Sequence, residues 1–299
     1  MFFVNDAYLQ GLIAEDLPYL DLTTHLLDID GTPGRIRYYT REECVLCGSE
    51  EAARILVMLG AQVMDYKPSG ERLNAGDTFL EATGAAGALH AAWKVCLNIL
   101  DHYSAVATKA ARVVEAAQAA KPGLPILTTR KSMPGTKPLM TKAVMTGGAV
   151  PHRLGLSETV LLFDNHTAFI GGFEGLLQRL PAIKAQACEK KVFVEADAEQ
   201  ALALLGHGAS LDDGADPSSP AGPLVDGIQF DKLSPEVLSV LVPRLRSLDT
   251  RVTLIAAGGI NENNVADYAR TGVDGLATTA LFTAKPLDMS ARIEAVEEH

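Results

Sequence analysis

Cysteine is scarce in this sequence, with only Cys44, Cys47, Cys96 and Cys188. The single C-x-x-C pair, Cys44 and Cys47, has no second pair and no histidine at zinc-site spacing. The chain needs no disulfide framework, and both residues read as small apolar side chains, with redox or metal chemistry as the alternative. Also missing is any uncharged apolar run of about 18 residues, which a membrane helix needs. The first residues, Met1 to Asp16, lack the basic-then-apolar order of an export signal. A soluble cytoplasmic protein is the expectation. Basic residues are outnumbered, 26 Lys and Arg against 37 Asp and Glu, for a formal net charge of -11. That balance argues against nucleic acid as the main partner, because duplex binding relies on a broad basic surface.

One absence is local. Between Glu115 and Glu158 there is no acidic residue, yet Lys121, Arg130, Lys131, Lys137, Lys142 and Arg153 all fall there. Clustered cations repel one another unless an anion arrives, so the stretch reads as an anion-binding site, with a solvated basic face as the alternative. Its companions favour the site: Thr128-Thr129-Arg130-Lys131, Pro134-Gly135, Gly147-Gly148 and His152-Arg153 mix donors with tight-turn residues.

What is present in quantity is apolar residue, 47% of 299 positions, enough for a large core and two domains. After about residue 120, short apolar runs alternate with helix-like stretches. The strand candidates are 125–129, 159–163, 192–196, 225–231, 252–257 and 275–279. Helices are expected over 175–189, 198–205, 235–246 and 262–271, the last opened by Asn261 as N-cap and closed by Gly272. Six such repeats point to a β/α barrel, whose chemistry sits at the C-terminal strand ends. Before residue 120 the pattern differs. Strands at 34–40 and 77–82 and helices at 42–59 and 89–120 suggest a separate α/β layer. The Gly-, Asp-, Ser- and Pro-rich stretch 206–223 reads as a surface loop outside the chemistry.

The strand ends carry Arg130, Lys131, Glu195, Asp231, Gly258, Gly259, Thr278 and Thr279. Glu195 and Asp231 are spaced to hold Mg²⁺ through waters or to accept from sugar hydroxyls; a salt bridge is the plain alternative for either. Facing cations, such a pair fits a magnesium-assisted phosphate ester better than a proton-transfer dyad. Gly258-Gly259 before a helix offers backbone N–H groups as a phosphate seat, strengthened by Thr278 and Thr279 after the next strand. His152 and Arg153 either line the site or close a turn after Pro151. Lys94, beside the only tryptophan, Trp93, reads by itself as a snorkelling lysine.

Taken together, Asp21-Leu22-Thr23-Thr24, Thr129-Arg130-Lys131-Ser132-Met133-Pro134-Gly135, His152-Arg153, Asp164-Asn165-His166, Val194-Glu195, Asp231 and Gly258-Gly259-Ile260 resemble the quinolinate phosphoribosyltransferase family along nearly the whole chain. Ala92-Trp93-Lys94, the segment 151–159, Gln229-Phe230-Asp231-Lys232 and Ala284-Lys285-Pro286 are most similar to its molybdenum-transport-associated branch, ModD. The resemblance implies an α/β fold: an N-terminal α/β sandwich over 1–115, joined by 285–299, and an incomplete, TIM-like β/α barrel over 116–284. It implies a homodimer with shared active sites, and transfer of phosphoribose from phosphoribosyl pyrophosphate to a pyridine-type nitrogen with Mg²⁺ as cofactor. In that scheme Glu195, Asp231 and Lys131 are catalytic, with Glu195 and Asp231 on the metal. Lys94, Thr129, Arg130, Lys131, His152, Arg153 and Phe163 line the acceptor and leaving group, and Gly258, Gly259, Thr278 and Thr279 receive the 5′-phosphate.

The chain departs from that family pattern in the acceptor region. Lys94 stands where the family donates an arginine across the dimer, and Phe163 where it has a barrel lysine. Lysine loses the bidentate fork for a carboxylate, and phenylalanine removes a charge. Three readings follow: transfer to an acceptor other than quinolinate, an authentic quinolinate enzyme of NAD biosynthesis, or a non-catalytic oxyanion-binding accessory of molybdate transport.

Overall fold

A computed structural model describes residues 2–212 and 224–296. In chain order its elements are α1 (Asp6–Asp16), α2 (Leu22–Leu26), β1 (Pro33–Thr40), β2 (Cys44–Val45), α3 (Ser49–Met58), β3 (Gln62–Tyr66), β4 (Arg72–Leu73), β5 (Thr78–Ala85) and α4 (Ala86–Ala120). Next come β6 (Ile126–Thr128), α5 (Lys137–Thr146), β7 (Val150–Pro151), β8 (Val160–Leu162), α6 (Asp164–Thr167), α7 (Gly172–Gln186), β9 (Val192–Glu195) and α8 (Ala198–Asp212). The last are β10 (Gly227–Asp231), α9 (Pro235–Leu248), β11 (Thr253–Ala257), α10 (Val265–Ala269), β12 (Gly275–Thr278) and β13 (Met289–Ala295). The chain forms two compact units, one of residues 1–112, 132–149 and 281–299, the other of 113–131 and 150–280.

The first unit holds an antiparallel sheet in the order β13-β1-β5-β3. Strand β1 alternates, with Ile36, Tyr38 and Thr40 buried and Arg35, Arg37 and Tyr39 between them, so one sheet face packs on the core. Helix α5 belongs here, held by the buried Lys142, whose Nζ donates to Glu51 at 2.5 Å and to Glu50 at 2.7 Å. Burial alone would raise the Glu50 carboxyl, but hydrogen bonds from Lys142 and Ser69 outweigh it and hold the group down at about 2. Where α5 ends, a Cβ on Gly147 would stand 2.4 Å from the Ala107 carbonyl oxygen, so only glycine lets the two backbones approach. Cys44 and Cys47 are buried, and burial pushes the Cys47 thiol up to about 12, which fits inert packing residues.

The second unit is built on a seven-stranded sheet in the order β7-β6-β12-β11-β10-β9-β8, with each neighbouring pair parallel. Strands buried on both faces appear in the sequence as short continuous apolar runs. All six expected barrel strands are present. Leu161, Phe193, Ile255, Ala257 and Ala277 form a core cluster against which Leu127 and Phe163 pack. With β7 and β8 at its two edges, the sheet is the open, incomplete barrel the sequence led us to expect.

Several local expectations change. The helix expected over 42–59 starts only at Ser49, because Gly48 at φ 96° turns the chain after the short strand β2. Asn261 is not the N-cap of α10; that position is Asn264, and the helix is the short Val265–Ala269. Asn261 instead organises the turn before it, its side-chain oxygen accepting from Asn263 N–H at 2.9 Å. Helix α8 runs to Asp212, into the stretch expected as a loop, while residues 213–223 lie outside the described residues.

Candidate functional site

The C-terminal strand ends of the second unit surround a cleft of about 560 Å³. Each wall follows from a strand. Beyond β6, the chain turns through Thr129, whose N–H donates to the Thr278 carbonyl at 3.4 Å and whose hydroxyl meets that of Thr279 at 2.9 Å. Arg130 and Lys131 follow as cleft-lining residues, the Lys131 N–H donating to Thr129 Oγ1 at 3.2 Å. Beyond β7, His152 is tied by its N–H to the Thr128 carbonyl at 3.0 Å, and its ring stands edge-on to Phe193 at 5.9 Å. Burial and then the Arg153 charge lower its pKa, so the imidazole is neutral near pH 7. Arg153 is half-buried, its pKa lowered first by burial and next by repulsion from Arg130.

Opposite stand the carboxylates. Glu195 ends β9 and pairs in register with Gln229 of β10, whose amide donates to Glu195 Oε2 at 2.8 Å. Burial raises the Glu195 pKa, the Gln229 hydrogen bond pulls it down, and the charges of Asp231 and Asp164 raise it again. Asp231 ends β10 and meets Lys232 Nζ at 3.5 Å. Beyond β11, Gly258 and Gly259 take φ of 86° and 74°. A Cβ on Gly258 would lie 2.6 Å from Asp231 Oδ1, so glycine is required there on two counts. Asn261 and Asn264 both donate side-chain N–H to the Gly259 carbonyl, at 3.0 and 3.1 Å, and fix this turn. Thr278 is buried, its hydroxyl donating to the Ile260 carbonyl at 2.5 Å and accepting from Ala280 N–H at 3.0 Å.

Of the residues singled out from the sequence, Thr129, Arg130, Lys131, His152, Arg153, Phe163, Glu195, Asp231, Gly258, Gly259, Thr278 and Thr279 all line this one cleft. Lys94 does not. It lies on α4 in the first unit, its Nζ 4.9 Å from the centroid of the Trp93 ring. The six cations of the acid-free stretch also disperse. Lys142 is spent on Glu50 and Glu51, and Lys121 donates to the carbonyls of Gly272 and Val273, so of the six only Arg130, Lys131 and Arg153 line the cleft. Gln229, Lys232, Asn261 and the apolar floor of Leu161, Ala257, Ile260 and Ala277 were not identified as site residues from the sequence. For Gln229 a signal existed: it sits two residues before Asp231, hence on the same strand face, and is a polar residue within an apolar run.

The quinolinate phosphoribosyl transferase C-terminal domain model matches residues 106–292 and the N-terminal domain model residues 21–104. A ModD protein of Rhodobacter capsulatus, named as a pyrophosphorylase, is 38% identical over 273 residues, covering 91% of this chain and 98% of that protein. The nicotinate-nucleotide pyrophosphorylase [carboxylating] of Mycobacterium leprae is 34% identical over 273 residues, 89% of each chain. The fold is also that of the crystal structure of NadC from Streptococcus pyogenes, with a TM-score of 0.83 at 24% identity over 99% of this chain and 100% of that one. The two family models and these relatives, together spanning nearly the whole chain, establish that it belongs to the quinolinate phosphoribosyl transferase family.

Proposed function

We propose that this chain is a cytoplasmic phosphoribosyltransferase that moves phosphoribose from phosphoribosyl pyrophosphate to the ring nitrogen of an aromatic acceptor and releases pyrophosphate. The observation that carries this reading is the meeting, in one cleft, of a cationic wall, two carboxylates and a glycine turn: Arg130, Lys131 and Arg153, Glu195 and Asp231, Gly258 and Gly259. In the reaction the acceptor nitrogen donates its lone pair to ribose C1. The bond from C1 to the pyrophosphate oxygen breaks, and pyrophosphate leaves with that electron pair. Because the ribose acquires oxocarbenium character, the protein's work is to position the reactants and balance charge.

Glu195 and Asp231 accept from the ribose hydroxyls and place negative charge beside the developing cation. Arg130 and Lys131 neutralise the departing pyrophosphate, and neutral His152 serves as a hydrogen-bonding group. The backbone from Gly258 to Ile260, with Thr278 and Thr279, receives the 5′-phosphate. The two carboxylates form a donor set that suits Mg²⁺, which takes one or two carboxylates and completes its shell with water and substrate phosphates. When bound, Mg²⁺ would supply charge neutralisation to the pyrophosphate.

A receptor for an oxyanion gains nothing from two carboxylates facing its cations, so the accessory-protein reading is disfavoured. The authentic quinolinate enzyme is disfavoured by the higher identity of the ModD relative, 38% against 34% for the nicotinate-nucleotide enzyme. The proposal also carries a homodimer in which Lys94 reaches the partner's cleft. Calorimetry tests the core of this reading: phosphoribosyl pyrophosphate should bind with Mg²⁺ and far less without it, and the Glu195→Ala/Asp231→Ala double variant should lose that dependence. Undiminished magnesium-dependent binding in the double variant would overturn the assignment.

A further inference from the structure

Lys232 stands in a strained backbone conformation. Its φ of 59° puts a residue with a long side chain in the left-handed region, where glycine and asparagine sit with least strain. Local structure explains the turn but not the residue. Strand β10 ends at Asp231, the chain swings toward Ser234, the N-cap of α9, and the Lys232 N–H closes the corner on the Ala257 carbonyl at 2.8 Å. Any residue but proline supplies that N–H, so what lysine adds here is its side chain. That side chain lies between two parts of the cleft. A Cβ added to Gly258 would stand 2.7 Å from Lys232 Cγ and 2.6 Å from Asp231 Oδ1, so the lysine stem runs beside the glycine turn. Its Nζ meets the other carboxylate oxygen, Asp231 Oδ2, at 3.5 Å.

Asp231 is thus flanked by the glycine turn on one oxygen and by an ammonium on the other. The ion pair is loose. With the lysine side chain 80% exposed, solvent screens the pair and the stem can turn. An ammonium held in this way is drawn off by a stronger anion within reach, and a phosphate on the Gly258 turn is one. We infer that Lys232 is a further donor-binding residue, a mobile cation that shields Asp231 until the donor arrives and then moves to the donor's 5′-phosphate on the Gly258 turn. The move releases Asp231 to the ribose hydroxyls and Mg²⁺. Lys232 therefore has two opposed effects: it competes with Mg²⁺ for Asp231, and it contributes a charge-assisted hydrogen bond to the phosphate. A residue that served only the fold would not show that opposition.

The inference rests on the phosphoribosyl transfer proposed above, and the experiment separates the two. Calorimetry at constant pH follows binding of phosphoribosyl pyrophosphate over a range of Mg²⁺ concentrations, in the unaltered full chain and in Lys232→Met and Lys232→Asn. Lys232→Met, which keeps the bulk of the stem, should lower the Mg²⁺ concentration for half-maximal binding by about fivefold, the factor for unit charges about 4 Å apart in water. It should nevertheless weaken binding at saturating Mg²⁺ by about tenfold, the effect of one charge-assisted hydrogen bond. Ribose 5-phosphate alone should show the same loss, and pyrophosphate with Mg²⁺ should show none. Lys232→Asn, which relieves the left-handed backbone, should give the same changes in binding together with a Tm raised by about 2 °C in the absence of ligand. Should either variant fail to fold, the other decides. A Mg²⁺ requirement that rises or stays the same, ribose 5-phosphate binding that is undiminished, or a Lys232→Asn protein that loses both affinity and thermal stability overturns the inference alone. An unaltered chain that binds no phosphoribosyl pyrophosphate at any Mg²⁺ concentration overturns the functional reading beneath it.

Discussion

Replacing Gln229 with leucine removes a hydrogen bond without opening a cavity, since the two side chains are close in volume, and so isolates what the amide does for Glu195. The bond is 2.8 Å long and ends on a carboxylate. Hydrogen bonds to charged groups contribute about 1.5 to 3 kcal/mol. Glu195 is only partly buried, so solvent screening reduces the effect to about 1 to 1.5 kcal/mol, which is about one unit in its pKa. The direction follows from the ionised form being the one the amide stabilises. The Glu195 pKa, already raised by burial, rises further in Gln229→Leu. If ionised Glu195 is needed for magnesium-dependent binding of phosphoribosyl pyrophosphate, affinity is lost as pH falls through that pKa, and the variant should lose it about one unit sooner. Calorimetry from pH 5 to 8 reads this directly. A merely structural role for Gln229 would lower affinity by the same factor at every pH, and superimposable acid limbs in the two proteins would refute the reasoning.

Further outcomes are expected elsewhere in the chain. Lys142→Met leaves Glu51, only 2% exposed, without its cation, and should cost about 3 to 5 kcal/mol in urea unfolding; the triple variant with Glu50→Gln and Glu51→Gln should recover most of it. Asp101 is pushed up to about 6 by burial. Its native state therefore keeps a proton that the unfolded chain loses, and stability should fall as pH rises between about 4 and 6. Asp101→Asn should remove that slope, worth about 1 kcal/mol after allowance for partial exposure, as seen in Tm measured against pH. The proposed homodimer should sediment as such at micromolar concentration, and Lys94→Ala should lower activity while leaving the dimer intact. An active monomer would contradict the shared site.

Most of the parallel sheet was legible because its central strands are buried, so they read as apolar runs with polar or glycine residues at their ends, whereas the two-residue edge strand β7, with Val150 exposed, carries no such run. Those polar ends also revealed most of the cleft, from Arg130 and Lys131 to Thr278 and Thr279. The first unit was harder, because β13 pairs with β1 from the other end of the chain, Glu294 opposite Arg35, and neither segment announces its partner. The acid-free stretch was over-read for the same reason. Whether a lysine serves a ligand or a buried carboxylate depends on a distant segment, and the destination of Lys142 is settled by Glu50 and Glu51 on α3. Asn261 was misassigned because asparagine serves equally as an N-cap and as the head of a turn, and only the position of Gly259 decides between them.

The central claim is phosphoribosyl transfer at Glu195 and Asp231, and ³¹P NMR tests it most directly. With phosphoribosyl pyrophosphate, Mg²⁺ and a pyridine carboxylate, the protein should convert the donor's diphosphate signals to free pyrophosphate together with a new nucleotide monophosphate signal. Both should depend on the acceptor and be lost in Glu195→Gln/Asp231→Asn. Pyrophosphate appearing at the same rate without any acceptor, or in the double variant, would contradict the account.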